Sequence, residues 1–148
     1  LYLAYLFMMT YPGAPCIYYG DEIGLTGGVD PMCRKAFPWD ESAWNTNLRD
    51  KIRELTLLRH AMPVLRTGAY LPLLSRGSLL VYARKDSEDV VIVAINLDNS
   101  PQTISVRVDG LLADDTLLQD QISDKQAEVK AGEIRDLTIP RMSAVILA

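Results

Sequence analysis

The sequence predicts an α+β fragment in two parts: a helix–strand–loop–helix piece over residues 1–62, then an all-β Greek-key sandwich over residues 63–148. Three observations predict it. The period of the apolar residues changes from 3.6 to 2 at Pro63, the signature of a switch from helix to strand. Beyond Pro63, seven or eight short runs of alternating character are separated by turn signals, as in a β-sandwich. Before it, Cys16-Ile17-Tyr18-Tyr19 forms a short apolar run between Pro12-Gly13, Pro15 and Gly20, the pattern of a strand buried on both faces.

In chain order, Leu1–Thr10 reads as the tail of an apolar helix packed on a sheet. The stretch Leu1–Met9 is too short to span a bilayer and lacks the basic start and small-residue cleavage site of a signal peptide. Tyr11–Gly20 is the turn and buried strand, with Cys16 a small buried hydrophobe in it. Gly24–Asp40 is a loop of about 17 residues, a length that is usually functional when ordered. Phe37, Pro38 and Trp39 argue for order, because aromatic side chains need burial. Asn45–Met62 is the clearest helix. Leu48, Ile52, Leu55, Leu58 and Met62 make one apolar stripe, Asn45, Thr46 or Asn47 caps the start and Pro63 ends it.

The expected strands are Ala69–Ser75, Leu79–Lys85, Val90–Leu97, Thr103–Val108, Thr116–Gln119, Ala127–Lys130, Glu133–Ile139 and Met142–Leu147. Turns such as Arg76-Gly77-Ser78, Asp109-Gly110 and Ala131-Gly132 divide them. In the third strand Val91, Val93 and Ile95 alternate with Ile92 and Ala94, so both faces are apolar and the strand is central. The aspartate-rich stretch Leu111–Asp124 reads as an irregular exposed link. The first part cannot stand alone. One isolated parallel-type strand leaves its backbone groups unpaired, at about 1–3 kcal/mol for each buried one. With Leu1 rather than Met in first place, the chain reads as a piece of something longer.

Composition is that of an ordinary globular protein: 148 residues, 49% apolar and 23% charged, with net charge −4. A net negative charge disfavours nucleic acid and anionic membranes as partners. The two cysteines fit no metal spacing. Whether Cys16 and Cys33 are bridged is open, with free thiols the first reading and a cytoplasmic, reducing location the expectation.

The residues PGAPCIYYGDEIGL (Pro12–Leu25) and DPMCRKAFPWDE (Asp30–Glu41) closely resemble the last barrel strand and following loop of the α-amylase family, glycoside hydrolase family 13. The Asp-Pro-x-Cys-Arg-Lys-x-Phe-Pro-Trp form looks like its neopullulanase, cyclomaltodextrinase and maltogenic amylase branch. The resemblance covers roughly the first 60 residues. It implies that residues 1–62 are the last strand, loop and helix of a (β/α)8 barrel, the C-terminal end of a TIM-barrel catalytic domain. Residues 63–148 would then be the α-amylase C-terminal domain. It also implies a retaining glycosidase of α-1,4/α-1,6-glucans, with α-glucan or cyclodextrin as substrate and a homodimer as one assembly option.

Retaining hydrolysis needs two carboxyl groups about 5–5.5 Å apart. Asp21-Glu22 and Asp40-Glu41 are neighbours on an extended chain and point to opposite faces, so neither pair converges on one bond. In the resembled family the nucleophile Asp, the acid/base Glu and the stabilising Asp lie on earlier strands. No catalytic residue is therefore expected here, and the fragment alone should be inactive. His60, at a helix end, reads as a surface residue.

The resemblance makes Asp30 and Arg34 the substrate grip. A carboxylate accepts from adjacent sugar hydroxyls and a guanidinium fork donates to others. The plainer reading is a surface ion pair that staples the loop. Trp39 is a substrate-stacking candidate whose plainer reading is packing. Tyr18 and Tyr19 likewise read first as core and second as pocket lining. Asp21 and Glu22 read as structural residues that accept backbone N–H bonds, with support of an active site second. No metal or cofactor is expected, although Asp30 and nearby carbonyls are the hard oxygens calcium takes, so calcium stays an option in the parent enzyme. The competing readings are a non-catalytic carbohydrate-binding or oligomerisation module and the end of an α-glucanotransferase. Past Pro63 the only aromatics are Tyr70 and Tyr82, which weighs against sugar binding by the sandwich.

Overall fold

A computed structural model describes all 148 residues. Helices α1 (Tyr2–Thr10), α2 (Thr46–Ala61) and the short α3 (Val64–Thr67) precede eight strands. These are β1 (Ala69–Arg76), β2 (Leu79–Lys85), β3 (Val90–Asn96), β4 (Gln102–Arg107), β5 (Leu117–Gln119), β6 (Gln126–Lys130), β7 (Glu133–Ile139) and β8 (Ser143–Leu147). Every strand expected beyond Pro63 is present within two residues of its expected ends, and all pairings are antiparallel.

Two four-stranded sheets face each other, in orders β1-β2-β3-β8 and β4-β7-β6-β5. The second order is a Greek key: β5, β6 and β7 follow as hairpins and β4 returns beside β7. Between the sheets lies one core, with Val81, Ile92, Ala94, Val106, Ile134 and Val145 among its members. The other face of the first sheet carries a second core. There Tyr82, Val91, Val93, Ile95 and Ile146 pack against Leu6, Ile52, Leu55 and Leu65 of the helices. β3 is thus covered on both sides, as its two apolar registers require. Edge strand β1 carries Pro72 beside a break in register between Pro72 and Leu74, which is where a sheet tolerates proline.

α2 follows its stripe. Asn45 caps it, its side-chain oxygen accepting from Leu48 N at 3.0 Å, and Leu48, Ile52 and Leu55 are buried. Pro63 ends α2 and also begins α3, a turn the sequence reading did not include. Gly68 closes α3 where a Cβ would stand 2.5 Å from Val64 O and 3.0 Å from Lys85 O.

Several expectations are corrected. Tyr11–Gly20 is not a strand, because no strand elsewhere in the chain pairs with it. Most of its residues are therefore on the surface: Cys16, Ile17, Tyr18 and Tyr19 are exposed rather than buried. Tyr18 and Tyr19 do not pack in a core, and neither does Trp39, which is 84% exposed. The link Leu111–Asp124 is not wholly exposed. Leu111 and Leu112 pack against the inter-sheet core, and Asp120 is buried, accepting from Ile146 N at 2.9 Å and from Ser123 Oγ. No helix is long and apolar enough to cross a membrane.

Candidate functional site

The site is built on the segment between α1 and α2. Gly20, at a φ of 90°, lets the chain turn sharply into a 3₁₀ turn over Asp21–Ile23. Leu25 N then donates back to Gly20 O at 2.8 Å and Asn45 N to Ile23 O at 3.0 Å, closing both ends of the loop. Within it, Tyr19 Oη donates to Lys35 O at 2.9 Å and Trp44 Nε1 to Pro38 O at 2.7 Å. The long loop is therefore held by its own hydrogen bonds, with turns around a cis Asp30-Pro31 bond.

At its tip the structure brings Asp30 and Arg34 together. Arg34 Nε lies 3.0 Å from Asp30 Oδ1, with the side chains 70% and 64% exposed. Such a pair contributes less than about 1 kcal/mol, and most hydrogen-bonding positions on both groups still face solvent. Cys33 Sγ lies 3.9 Å from the same aspartate oxygen. Trp39 stands on the edge of Phe37, with ring centroids 4.9 Å apart, and Phe37 in turn touches Trp44 at 5.7 Å. Tyr18 and Tyr19 pair with each other at 4.7 Å. These rings, with exposed Ile17, Val29 and Met32, give this side of the molecule an apolar, aromatic surface.

Asp21 and Glu22 do not accept backbone N–H bonds as expected. Asp21 Oδ2 accepts from Tyr5 Oη at 3.2 Å. Burial and this carboxylate push the Tyr5 phenol up to about 12. Glu22 Oε2 is buried without any hydrogen-bond partner. His60 is exposed in the last turn of α2, as expected. Nowhere do three His, Cys, Asp or Glu residues converge as a metal site.

The sequence reading missed two buried cations. Arg59 Nη1 donates to Met9 O at 2.6 Å and Leu65 O at 2.8 Å, and its Nη2 to Gly13 O at 2.6 Å. Arg84 Nη1 donates to Thr10 O at 2.6 Å and Leu65 O at 2.7 Å, and its Nη2 to Gly68 O at 2.7 Å. Burial lowers the pKa of both guanidiniums, and no carboxylate partners either. The carbonyls at the C-terminal end of α1 offset the charge, where the helix dipole is negative. Together they fix the segment that leads into the candidate site. The pattern held the signal: Arg59 continues the stripe Ile52, Leu55, and Arg84 shares a strand face with Tyr82.

The chain is similar to parts of larger known proteins. Residues 68–147 match the family model described as Alpha-amylase C-terminal domain. A cyclomaltodextrinase of Geobacillus thermopakistaniensis is 42% identical over 110 residues, covering 73% of this chain and 19% of that protein. An amylopullulanase of Thermoanaerobacterium saccharolyticum is 36% identical over 159 residues, covering 99% of this chain and 12% of that protein. Among solved structures, a debranching enzyme from Nostoc punctiforme superposes with a TM-score of 0.84 at 38% identity, covering 99% of this chain and 30% of that one. The α-amylase from Geobacillus thermoleovorans, complexed with acarbose, superposes with a TM-score of 0.89 at 26% identity, covering 99% and 32%. The chain spans about a fifth or less of the length of the curated relatives it matches.

Proposed function

The chain belongs to the α-amylase C-terminal domain family, and from that premise we propose that it is the C-terminal part of a retaining glycosidase that hydrolyses α-glucans. Residues 1–62 are the closing strand segment, loop and helix of the barrel, and residues 63–148 the stabilising sandwich. The catalytic carboxylates lie on the rest of the barrel. The observation that carries the reading is that relatives named cyclomaltodextrinase and amylopullulanase align with both parts of this chain, not the sandwich alone.

The local structure supports it. Tyr11–Gly20 has no ladder partners, the surface around it is aromatic, and Glu22 Oε2 lacks a donor. All three are accounted for by neighbouring barrel strands. Asp30 and Arg34 grip a glucosyl unit through hydroxyl pairs, and Trp39 stacks on a ring. Cys16 and Cys33 are free and exposed, which suits a reducing compartment. The proposed location is the cytoplasm.

The test is the parent enzyme, assayed for release of glucose or maltose from maltooligosaccharides, pullulan and cyclodextrins. Asp30→Ala and Arg34→Ala are each expected to raise KM about tenfold, the equivalent of ~1.4 kcal/mol, with kcat changed less. Absence of release from every α-glucan overturns the reading. An unchanged KM in both variants removes the grip.

A further inference from the structure

A second polar cleft lies where the helices meet the sandwich. Its volume is about 250 Å³, and it shares no residue with the Asp30–Arg34 loop. Its walls come from distant parts of the chain: Tyr2 from α1, Lys51 and Glu54 from α2, Ser143 from β8, and Ser123 and Lys125 from the β5–β6 connection. Ile122, Ala144 and Val145 supply an apolar part.

The charges decide what such a cleft takes. Lys51 and Lys125 are matched by Glu54 and Asp120, so neither a cation nor an anion is favoured. Asp120 is spent on Ile146 N and Ser123 Oγ. By contrast, the Tyr2 hydroxyl, the Glu54 carboxylate and the Ser143 hydroxyl form no hydrogen bond within the protein, and Lys51 Nζ has only the Tyr2 ring, 5.2 Å from its centroid. Burial and the Glu54 and Asp120 carboxylates raise the Tyr2 pKa, so its hydroxyl remains a donor at neutral pH. Donors and acceptors of both kinds beside an apolar wall match the alternating hydroxyls and C–H faces of a pyranose ring.

We propose that this cleft, walled by Tyr2, Lys51, Glu54 and Ser143, binds one glucosyl unit of an α-glucan chain as a second sugar site separate from the loop. The cleft itself is read from the geometry. The choice of an α-glucan rests on the proposed function.

The test is amide NMR of the ¹⁵N-labelled 148-residue chain titrated with maltotriose, and with cellobiose as the β-linked control. Shift changes centred on Tyr2, Lys51 and Ser143 are expected with maltotriose, saturating in the millimolar range and much weaker with cellobiose. Glu54→Ala and Ser143→Val, with otherwise native spectra, should each weaken binding at least tenfold. Changes confined to Asp30–Trp39, no change at all, or variants that bind as the original does each overturn the cleft. Equal binding of cellobiose overturns the α-glucan assignment. Hydrolysis by the parent enzyme is assayed separately, so the cleft and the catalytic reading fail independently.

Discussion

At the scale of single residues, polar groups that cross from the helices to the sandwich hold the molecule together. Thr10 Oγ1 donates to Leu6 O at 2.7 Å, so Tyr82 Oη donates to Thr10 at 2.5 Å. Burial pushes the Tyr82 phenol up to about 12. A phenol whose pKa is raised by folding contributes stability that is complete below pH 10 and is lost as pH climbs toward 12. Urea unfolding should therefore show the midpoint falling steeply over pH 10–12, and Tyr82→Phe should flatten that fall while weakening the protein at pH 7. An equally steep alkaline limb in Tyr82→Phe would place its cause elsewhere. Arg84→Leu strands the carbonyls of Thr10, Leu65 and Gly68, and is expected to cost on the order of 3 kcal/mol in denaturant titration. The apolar stripes carried a sign of both arginines, but a cation on such a stripe is ordinarily read as its boundary. Their acceptors are main-chain carbonyls, which leave no mark in the sequence.

At the scale of elements, the sandwich was legible and the first sixty residues only in part. Strands β2 and β7 fall on their expected ends, since each is bounded by turn residues on both sides. Tyr11–Gly20 failed for a physical reason. Strand character is a property of a pair, and the pattern in Cys16–Tyr19 describes an environment that these 148 residues do not supply. The exposure of Tyr18 and Tyr19, within that segment, follows from the same lack. Asp30 and Arg34 were legible as a pair through their spacing and the resemblance, not through any local pattern. α3 was hidden because Pro63 is both a stop and a start. Its closure is tight: Gly68→Ala would push a methyl onto two backbone oxygens that cannot withdraw. A loss of about 1–3 kcal/mol is expected by thermal unfolding, as for other overpacked sites. A neutral substitution would mean that the α3–β1 corner moves freely.

At the scale of the whole molecule, three layers stack as helices, first sheet and second sheet. The first sheet has no wet face. Residues 63–148 alone would uncover Tyr82, Val91, Val93, Ile95 and Ile146, an apolar patch of the kind soluble monomers avoid. The truncated chain is thus expected to bind a hydrophobic dye or self-associate in size-exclusion chromatography, whereas residues 1–148 keep that side covered. A monomeric, dye-silent sandwich would mean that the helices are dispensable to it. The guanidinium ties across this layer have a further consequence. Their anchorage is oxygen that every amino acid carries, so position 11, whose carbonyl also accepts from Arg59 Nη1 at 3.2 Å, can change identity without loosening the tie. Met9 is held by the core and Gly13 by its φ of 114°, for reasons separate from the arginines, which must themselves stay.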